Sequence, residues 1–285
     1  ESYRQSNRIN KAAPFYEKSI ENGLKNDSVG FFYAYALKSL GDYSSANKQL
    51  EQYIASTNNE FYLKRANDEI QNISYLDKLR EKESFYRVKN LDKINTSEAD
   101  YSPIYEEGYL YFTSSRSDKS KVYKATGTPF SNIYRAPTEG ANVDADKVEI
   151  LSDVINNYDI NEGSVTFSPD GKSMVFARGN NGKKKGAADV NLFISILRND
   201  QWTAPRMLNI NKVNSWDSSP AFSSNGKVLY FASNRSGGMG GTDIYSANMN
   251  SRGRFSKVKN LGPSINTSGN EMFPYISDDG IMYFA

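Results

Sequence analysis

The chain has 285 residues, a formal net charge of +2, and neither cysteine nor histidine. The two absences exclude disulfides, cysteine nucleophiles, histidine bases, Ser-His-Asp triads and ordinary zinc sites, leaving paired carboxylates as the familiar hydrolytic arrangement still open. Near-balanced charge without a basic block argues against nucleic acid, and no apolar run approaches the roughly 20 residues of a transmembrane helix.

Residues 1–84 carry no strand signal and are expected to be helical. They show a 34-residue spacing instead: Ala12 with Ala46, Tyr16 with Leu50, Ile20 with Ile54. In "LGDYSSA" (40–46), Gly41 ends one helix, Asp42 caps the next, and small Ala46 lets two helices approach. A trailing helix from 60 to about 83 is predicted by Phe61, Leu63, Ala66, Ile70, Ile73, Leu76 and Leu79, near the helical period. Period and turn resemble the tetratricopeptide repeat. The resemblance covers one full repeat and half of another, and it implies a docking surface for partner proteins.

From residue 85 the chain repeats a β-pattern. Its acidic residue recurs as Asp100, Glu162, Asp217 and Glu271, at steps of 62, 55 and 54 residues. An apolar run follows each, then a glycine turn at Gly108, Gly171, Gly226 and Gly280, then a second run. Asp-Gly and Asn-Gly supply the positive φ of a tight hairpin. The second run leads to Arg116, Arg178 and Arg235 in the first three copies. A third strand is marked by "NIY" (132–134), "NLF" (191–193) and "DIY" (243–245). A fourth is marked by "QWTAPRMLN" (201–209) and "RFSKVKNLG" (254–262). Four short strands per repeat of this length predict one propeller blade per repeat. The clearest copies, "FSPDGK" (167–172) and "FASNRSGGMGGTDIY" (231–245), resemble the TolB-like, WD-type (PD40-like) propeller repeat. The first copy departs from it, with Glu106-Glu107-Gly108 in place of Pro-Asp-Gly.

The expected fold is therefore α plus all-β in two domains: helical tetratricopeptide-type repeats at 1–84 and an incomplete β-propeller of four-stranded blades at 85–285, the blades starting near 100, 162, 217 and 271. Val88-Lys89-Asn90-Leu91 matches Val258-Lys259-Asn260-Leu261. Residues 86–91 are thus expected to form an outer strand that completes the last blade. That last blade is truncated, and the native chain is expected to continue past Ala285.

The recurring residues Asp100, Arg116, Glu162, Asp170, Gly171, Arg178, Asp217, Gly226, Arg235, Asp243, Glu271 and Gly280 are expected to be structural, since a catalytic constellation would break the repeat. No catalytic, cofactor or metal residue is assigned. "SGGMGGTD" (236–243) lacks the Lys-Ser/Thr of a phosphate loop, and the acidic "DINEG" and "DADK" do not have calcium-loop spacing. Trp216 and the loop lysines Lys183, Lys184 and Lys185 are the candidate partner or ligand contacts. Trp202 reads as outer-strand packing. Asn95-Thr96-Ser97 and Asn266-Thr267-Ser268 have the glycosylation pattern, yet their equivalent place in the repeat favours connecting turns.

Helical repeats followed by such a propeller resemble the PorE-type OmpA-family envelope proteins of type IX secretion and gliding bacteria. The resemblance implies a non-enzymatic periplasmic scaffold associated with the outer membrane. Helices and blades would dock envelope proteins, and peptidoglycan would be held only by a further OmpA-like domain. The alternatives are a glycan- or small-ligand-binding propeller, or an accessory domain of a larger hydrolase.

Overall fold

The computed structural model describes residues 2–5, 8–24, 28–82, 88–124, 126–179, 190–250 and 253–285. Its contacts cluster into two compact units, Glu1–Lys89 and Asn90–Ala285.

The first unit is helical: α1 Ala13–Glu21, α2 Val29–Ser39, α3 Tyr43–Ser56 and α4 Glu60–Arg80, each packed on the next. Gly41 takes φ 80°, and the Asp42 carboxylate accepts from Ser45 N at 3.0 Å, capping α3. Small residues stand where helices meet, for Ala36, Ala46 and Ala66 are all fully buried. Gly30 belongs to the same seam, because a Cβ there would lie 3.0 Å from the Tyr53 ring. Of the pairs spaced by 34, Ala12 with Ala46 and Tyr16 with Leu50 are buried, whereas Ile20 is 40% exposed. The buried stripe of α4 also departs from expectation. It is Tyr62, Ala66, Ile70 and Ile73, while Phe61 and Leu79 are more than half exposed. Tyr62 continues the row of fourth residues through Ala66 and Ile70, and its ring meets Phe31 at 5.1 Å. Ala46→Leu would force α3 off its neighbours and is expected to cost about 1–3 kcal/mol. The helical signal in a thermal melt checks this, with Ala46→Gly as the variant that keeps the close approach.

The second unit consists of antiparallel sheets. The first runs β1 Asp100–Glu106, β2 Tyr109–Ser114, β3 Asn132–Glu139, β4 Glu149–Ile150. The second runs β5 Asn161–Phe167, β6 Ser173–Gly179, β7 Val190–Arg198, β8 Arg206–Met207. The third runs β9 Asp217–Phe222, β10 Val228–Ser233, β11 Asp243–Met249, β12 Phe255–Asn260. A hairpin, β13 Tyr275–Ile276 with β14 Met282–Tyr283, begins a fourth. Each sheet is a simple meander whose strands pair in chain order. This is the form of a propeller blade, and the first strands of successive sheets are neighbours. The predicted fourth strand of the second blade is broken. Gln201–Trp202 and Arg206–Met207 each pair separately with β7, because Pro205 between them has no N–H for the ladder.

The first strand of each of the first three blades is bulged at the same point. Register shifts fall between Tyr101 and Ile104, Gly163 and Thr166, and Ser218 and Ala221. Two residues after each acidic residue the backbone enters the left-handed region: Ser102 at φ 51°, Ser164 at 48°, Ser219 at 50° and Phe273 at 53°. The prolines Pro103, Pro220 and Pro274 come next, where the bulge has already interrupted the ladder.

The cores lie between blades. Tyr111 and Ile133 of the first blade meet Val165, Phe167, Met174 and Phe176 of the second. Val175, Leu192 and Ile194 of the second meet Phe222, Leu229, Phe231 and Phe255 of the third. Connector residues Leu151 and Ile155, then Leu208 and Ile210, fill the same two layers. On the outer face of the first blade, Leu91 and Ile94 pack against Phe112, Tyr134 and Ala136.

Within the outer strand expected at 86–91, no described residue is in strand conformation. Residues 86–87 lie outside the described residues, 88–91 pair with no strand, and Val88 is 97% exposed. A strand exists only where its backbone groups find a ladder partner, and no described strand pairs with residues 88–91.

Candidate functional site

The recurring charged residues converge within blades. Arg116 Nη2 donates to Asp100 at 2.6 Å and to the Ile94 carbonyl at 2.8 Å. Arg178 Nε donates to Glu162 at 2.9 Å, and its Nη2 to the Ile155 carbonyl at 2.5 Å. Arg235 Nη2 donates to Asp217 at 2.8 Å and to the Ile210 carbonyl at 3.2 Å. The free carboxylate oxygen then accepts from the connector: Thr96 N at 2.7 Å, Asn157 N at 3.1 Å and Lys212 N at 2.8 Å. Glu271 repeats that half of the module, accepting from Thr267 N at 3.0 Å. Each guanidinium also covers a stacked ring pair at about the cation–π distance: Phe112 with Tyr134, Phe176 with Phe193, Phe231 with Tyr245. One arginine thus ties the second strand to the first, to the third and to the connector behind.

Asp170 and Gly171 close the turn of the second blade. The Asp170 carboxylate accepts from Ser168 Oγ at 2.6 Å and Lys172 N at 3.1 Å. Those bonds, Ser168 first, hold its carboxyl below the usual carboxylate range. Asn225 accepts likewise beside Gly226, and Asp279 accepts from Ser277 Oγ beside Gly280. Asp243, almost fully buried, accepts from Met239 N, Gly240 N and Asn260 Nδ2, folding the glycine-rich loop onto the third blade. These bonds keep the charged side chains within the sheets.

The sequence reading missed an asparagine clamp. Asn156, Asn211 and Asn266 each bind one residue of the preceding third strand through both backbone groups. Asn156 Oδ1 accepts from Ile133 N at 2.8 Å, and its Nδ2 donates to Ile133 O at 3.1 Å and Leu151 O at 2.8 Å. Asn211 does the same to Leu192, and Asn266 to Ile244. The signal was present in the sequence as Ile155-Asn156, Ile210-Asn211 and Ile265-Asn266. Asn266 is 1% exposed, so folding removes it as a glycosylation acceptor. Asn95, the equivalent in the first copy, is exposed and donates to Asn90 Oδ1 at 2.7 Å.

The three bulges and the equivalent left-handed residue Phe273 meet around one cavity of about 350 Å³, lined by Ser102, Ser164, Ser219 and Phe273 with their neighbouring prolines and aromatics. Ser102 Oγ and Ser164 Oγ lie 3.1 Å apart, joining two blades. Ser219 Oγ is buried without a partner among the described residues. Trp216 is half-buried. It packs against the core between the second and third blades, and its backbone N–H donates to Asn234 Oδ1 at 2.7 Å. Lys183, Lys184 and Lys185 lie outside the described residues. Among the described residues no group of His, Cys, Asp and Glu could hold a metal, and no helix is long and apolar enough to cross a membrane.

The same module titrates differently in different blades. Burial opposes the charge on Asp100, but bonds from Ser114, Arg116 and Thr96 outweigh it and hold the carboxyl below the usual range. For Glu162 burial prevails over Arg178, Asn157 and Asn132 and pushes the carboxyl up to about 8. A raised folded-state pKa means the fold holds the proton more tightly than the unfolded chain, whose value is about 4.3. The stability this contributes is complete below about pH 4 and declines as pH rises towards 8. Urea midpoints between pH 5 and 8 are expected to fall in the wild type and to run flatter in Glu162→Gln. Parallel profiles would show that Glu162 titrates normally. Asp100 acts in the opposite sense, its contribution disappearing as pH falls below about 4.

No family model matches the sequence, and no curated protein matches it. Solved structures similar to the chain include a protein described as TolB from Agrobacterium tumefaciens. It is 17% identical, with a TM-score of 0.40 over 62% of this chain and 50% of that one. The Cps50 (Swd1) β-propeller domain of Myceliophthora thermophila is 8% identical, with a TM-score of 0.35 over 62% and 44%. An α-L-arabinofuranosidase from Lactobacillus brevis is 16% identical, with a TM-score of 0.40 over 63% and 61%. The chain spans less than two thirds of the length of each.

Proposed function

We propose that the chain is a non-enzymatic docking module of a periplasmic scaffold held at the outer membrane. Its helices are tetratricopeptide-type repeats and its sheets are blades of a TolB-like propeller. Both present surfaces to envelope proteins, in the manner of the OmpA-family proteins of type IX secretion. Anchoring to peptidoglycan would belong to an OmpA-like domain outside this chain.

One observation carries the reading. The charged residues that recur are spent on bonds inside the blades, whereas apolar side chains are left exposed on the helices. Phe15, Leu24, Leu40, Phe61 and Leu79, on or beside the helices, are each more than half exposed, and stacked helical repeats present extended surfaces of this kind for binding. The test is affinity capture from an envelope fraction, the retained proteins being identified by mass spectrometry. Outer-membrane proteins are expected to be retained by the wild type and lost on combined Phe15→Ser and Phe61→Ser substitution. Turnover of a glycan or peptide substrate with no envelope protein retained would overturn the reading.

A further inference from the structure

Between the first two blades, away from the cavity where the bulges meet, lies a second cavity of about 680 Å³. That is the size range of small-molecule sites. One wall is a continuous run of aromatic rings: Tyr109 to Tyr111 at 6.2 Å, Tyr111 to Phe167 at 4.6 Å, Phe167 to Trp202 at 6.0 Å. The wall already seats one cation. Arg135 lies 4.4 Å over the Tyr109 ring while its Nε donates to Glu149 at 2.6 Å.

The same lining carries acidic side chains among apolar and neutral ones. Glu106, Glu107 and Asp200 face the same space, and among the described residues none of them is in an ion pair. Glu106 and Glu107 crowd together over Gly171, where a Cβ would meet both carboxylates. Burial, then Glu107 and Asp170, push the Glu106 carboxyl up from its ordinary value, as expected for negative charges gathered together. This cluster also breaks the repeat. Elsewhere a Ser–Asp or Ser–Asn bond closes the turn. In the first blade a two-residue turn, Glu107 at φ 45° and Gly108 at φ 81°, carries the two carboxylates into the lining of the cavity. The copies that lack the acidic turn do not have this combination.

We infer that the cavity between the first and second blades binds an organic cation, an ammonium or guanidinium group on an apolar body. The rings receive its face by cation–π attraction, and Glu106, Glu107 and Asp200 neutralise its charge. The cation can come from a free amine or from a basic side chain of a partner, and the inference does not depend on the docking function.

The test uses Trp202 fluorescence in a Trp216→Phe background, so that the remaining tryptophan lines the cavity. The probes are choline against its uncharged isostere 3,3-dimethylbutan-1-ol, and acetyl-Gly-Arg-Gly-amide against the citrulline peptide. At least one cation is expected to bind at least about tenfold more tightly than its neutral counterpart. Glu107→Gln with Asp200→Asn, both at exposed turn positions, is expected to weaken that binding about tenfold without altering the circular dichroism. Choline alone binding identifies a free amine as the source, and the arginine peptide alone identifies a partner side chain. Equal binding of cation and isostere, no binding of either cation, or binding unaffected by the double substitution would overturn the inference.

Discussion

Replacing Asp217 by alanine is expected to destabilise the blade unit by about 3–5 kcal/mol. The Asp217 side chain is fully buried and that of Arg235 is 11% exposed. Removing the acid strands a guanidinium in the protein and leaves the Lys212 N–H without its acceptor. Most of the cost is the uncompensated charge, so the double variant Asp217→Ala, Arg235→Leu is expected to lose less than the two single variants combined. Urea unfolding of the four proteins measures the coupling as a double-mutant cycle. Additive losses would mean that the pair does not act as a unit. The exposed pair Lys121–Asp159 at 2.7 Å is the contrast. Breaking a pair of that kind is expected to change stability by less than about 1 kcal/mol.

Asn156→Ala is expected to cost about 2 kcal/mol or more, because it leaves two buried backbone groups unsatisfied at about 1–3 kcal/mol each, the Ile133 N–H and the Leu151 C=O, and removes one of the two donors to the Ile133 C=O, which keeps the Leu151 N–H. Asn156→Asp is nearly as severe, since a carboxylate can accept from Ile133 but cannot donate to the two carbonyls. Asn95→Ala, at the equivalent but exposed position, is expected to fall within about 0.5 kcal/mol. Denaturant midpoints on the three variants test this. Equal losses at Asn95 and Asn156 would show that sequence position rather than bond count sets the cost.

The blade pattern was legible because each of its parts has a local physical cause. Asp170-Gly171 and Asn225-Gly226 announce hairpins through the positive φ that glycine permits, and alternating apolar residues announce strands between them. Asp100, Glu162 and Asp217 stood out by recurrence, although recurrence alone could not say where they point. The carbonyls of Ile94, Ile155 and Ile210 and the stacked rings under each arginine emerge only once three strands and a connector are assembled. The left-handed bulge was hidden for a different reason. Serine and phenylalanine do not advertise positive φ, so Ser102, Ser164, Ser219 and Phe273 read as ordinary strand residues. Residues 88–91 departed from expectation in the opposite way. Their match to 258–261 gives the composition of an outer strand, but strand formation depends on a partner that composition does not supply. Tyr62 displaced Phe61 because the helical row is decided by which ring reaches Phe31, not by hydrophobicity alone.

The cavity between the first two blades shows how a departure from a repeat carries information that the repeat does not. Glu106-Glu107-Gly108 was visible as an irregularity in the sequence. Its aromatic wall, drawn from both blades, became visible only when Phe167 and Trp202 were brought beside Tyr109 and Tyr111.

The central claim is that successive sheets are arranged as blades whose bulges meet at a common cavity. The chain has no cysteine, so a designed cross-link reports on that geometry without competition. Ser102 and Ser164 belong to different blades, 62 residues apart, with their hydroxyl oxygens 3.1 Å from each other. In Ser102→Cys with Ser164→Cys, mild oxidation is predicted to give a nearly complete intramolecular disulfide, seen by mass spectrometry of the non-reduced digest. The pair Ser102→Cys with Ser223→Cys is predicted to give none. Failure of the first pair to cross-link, with both thiols titratable and the sheet signal intact, would contradict the blade arrangement.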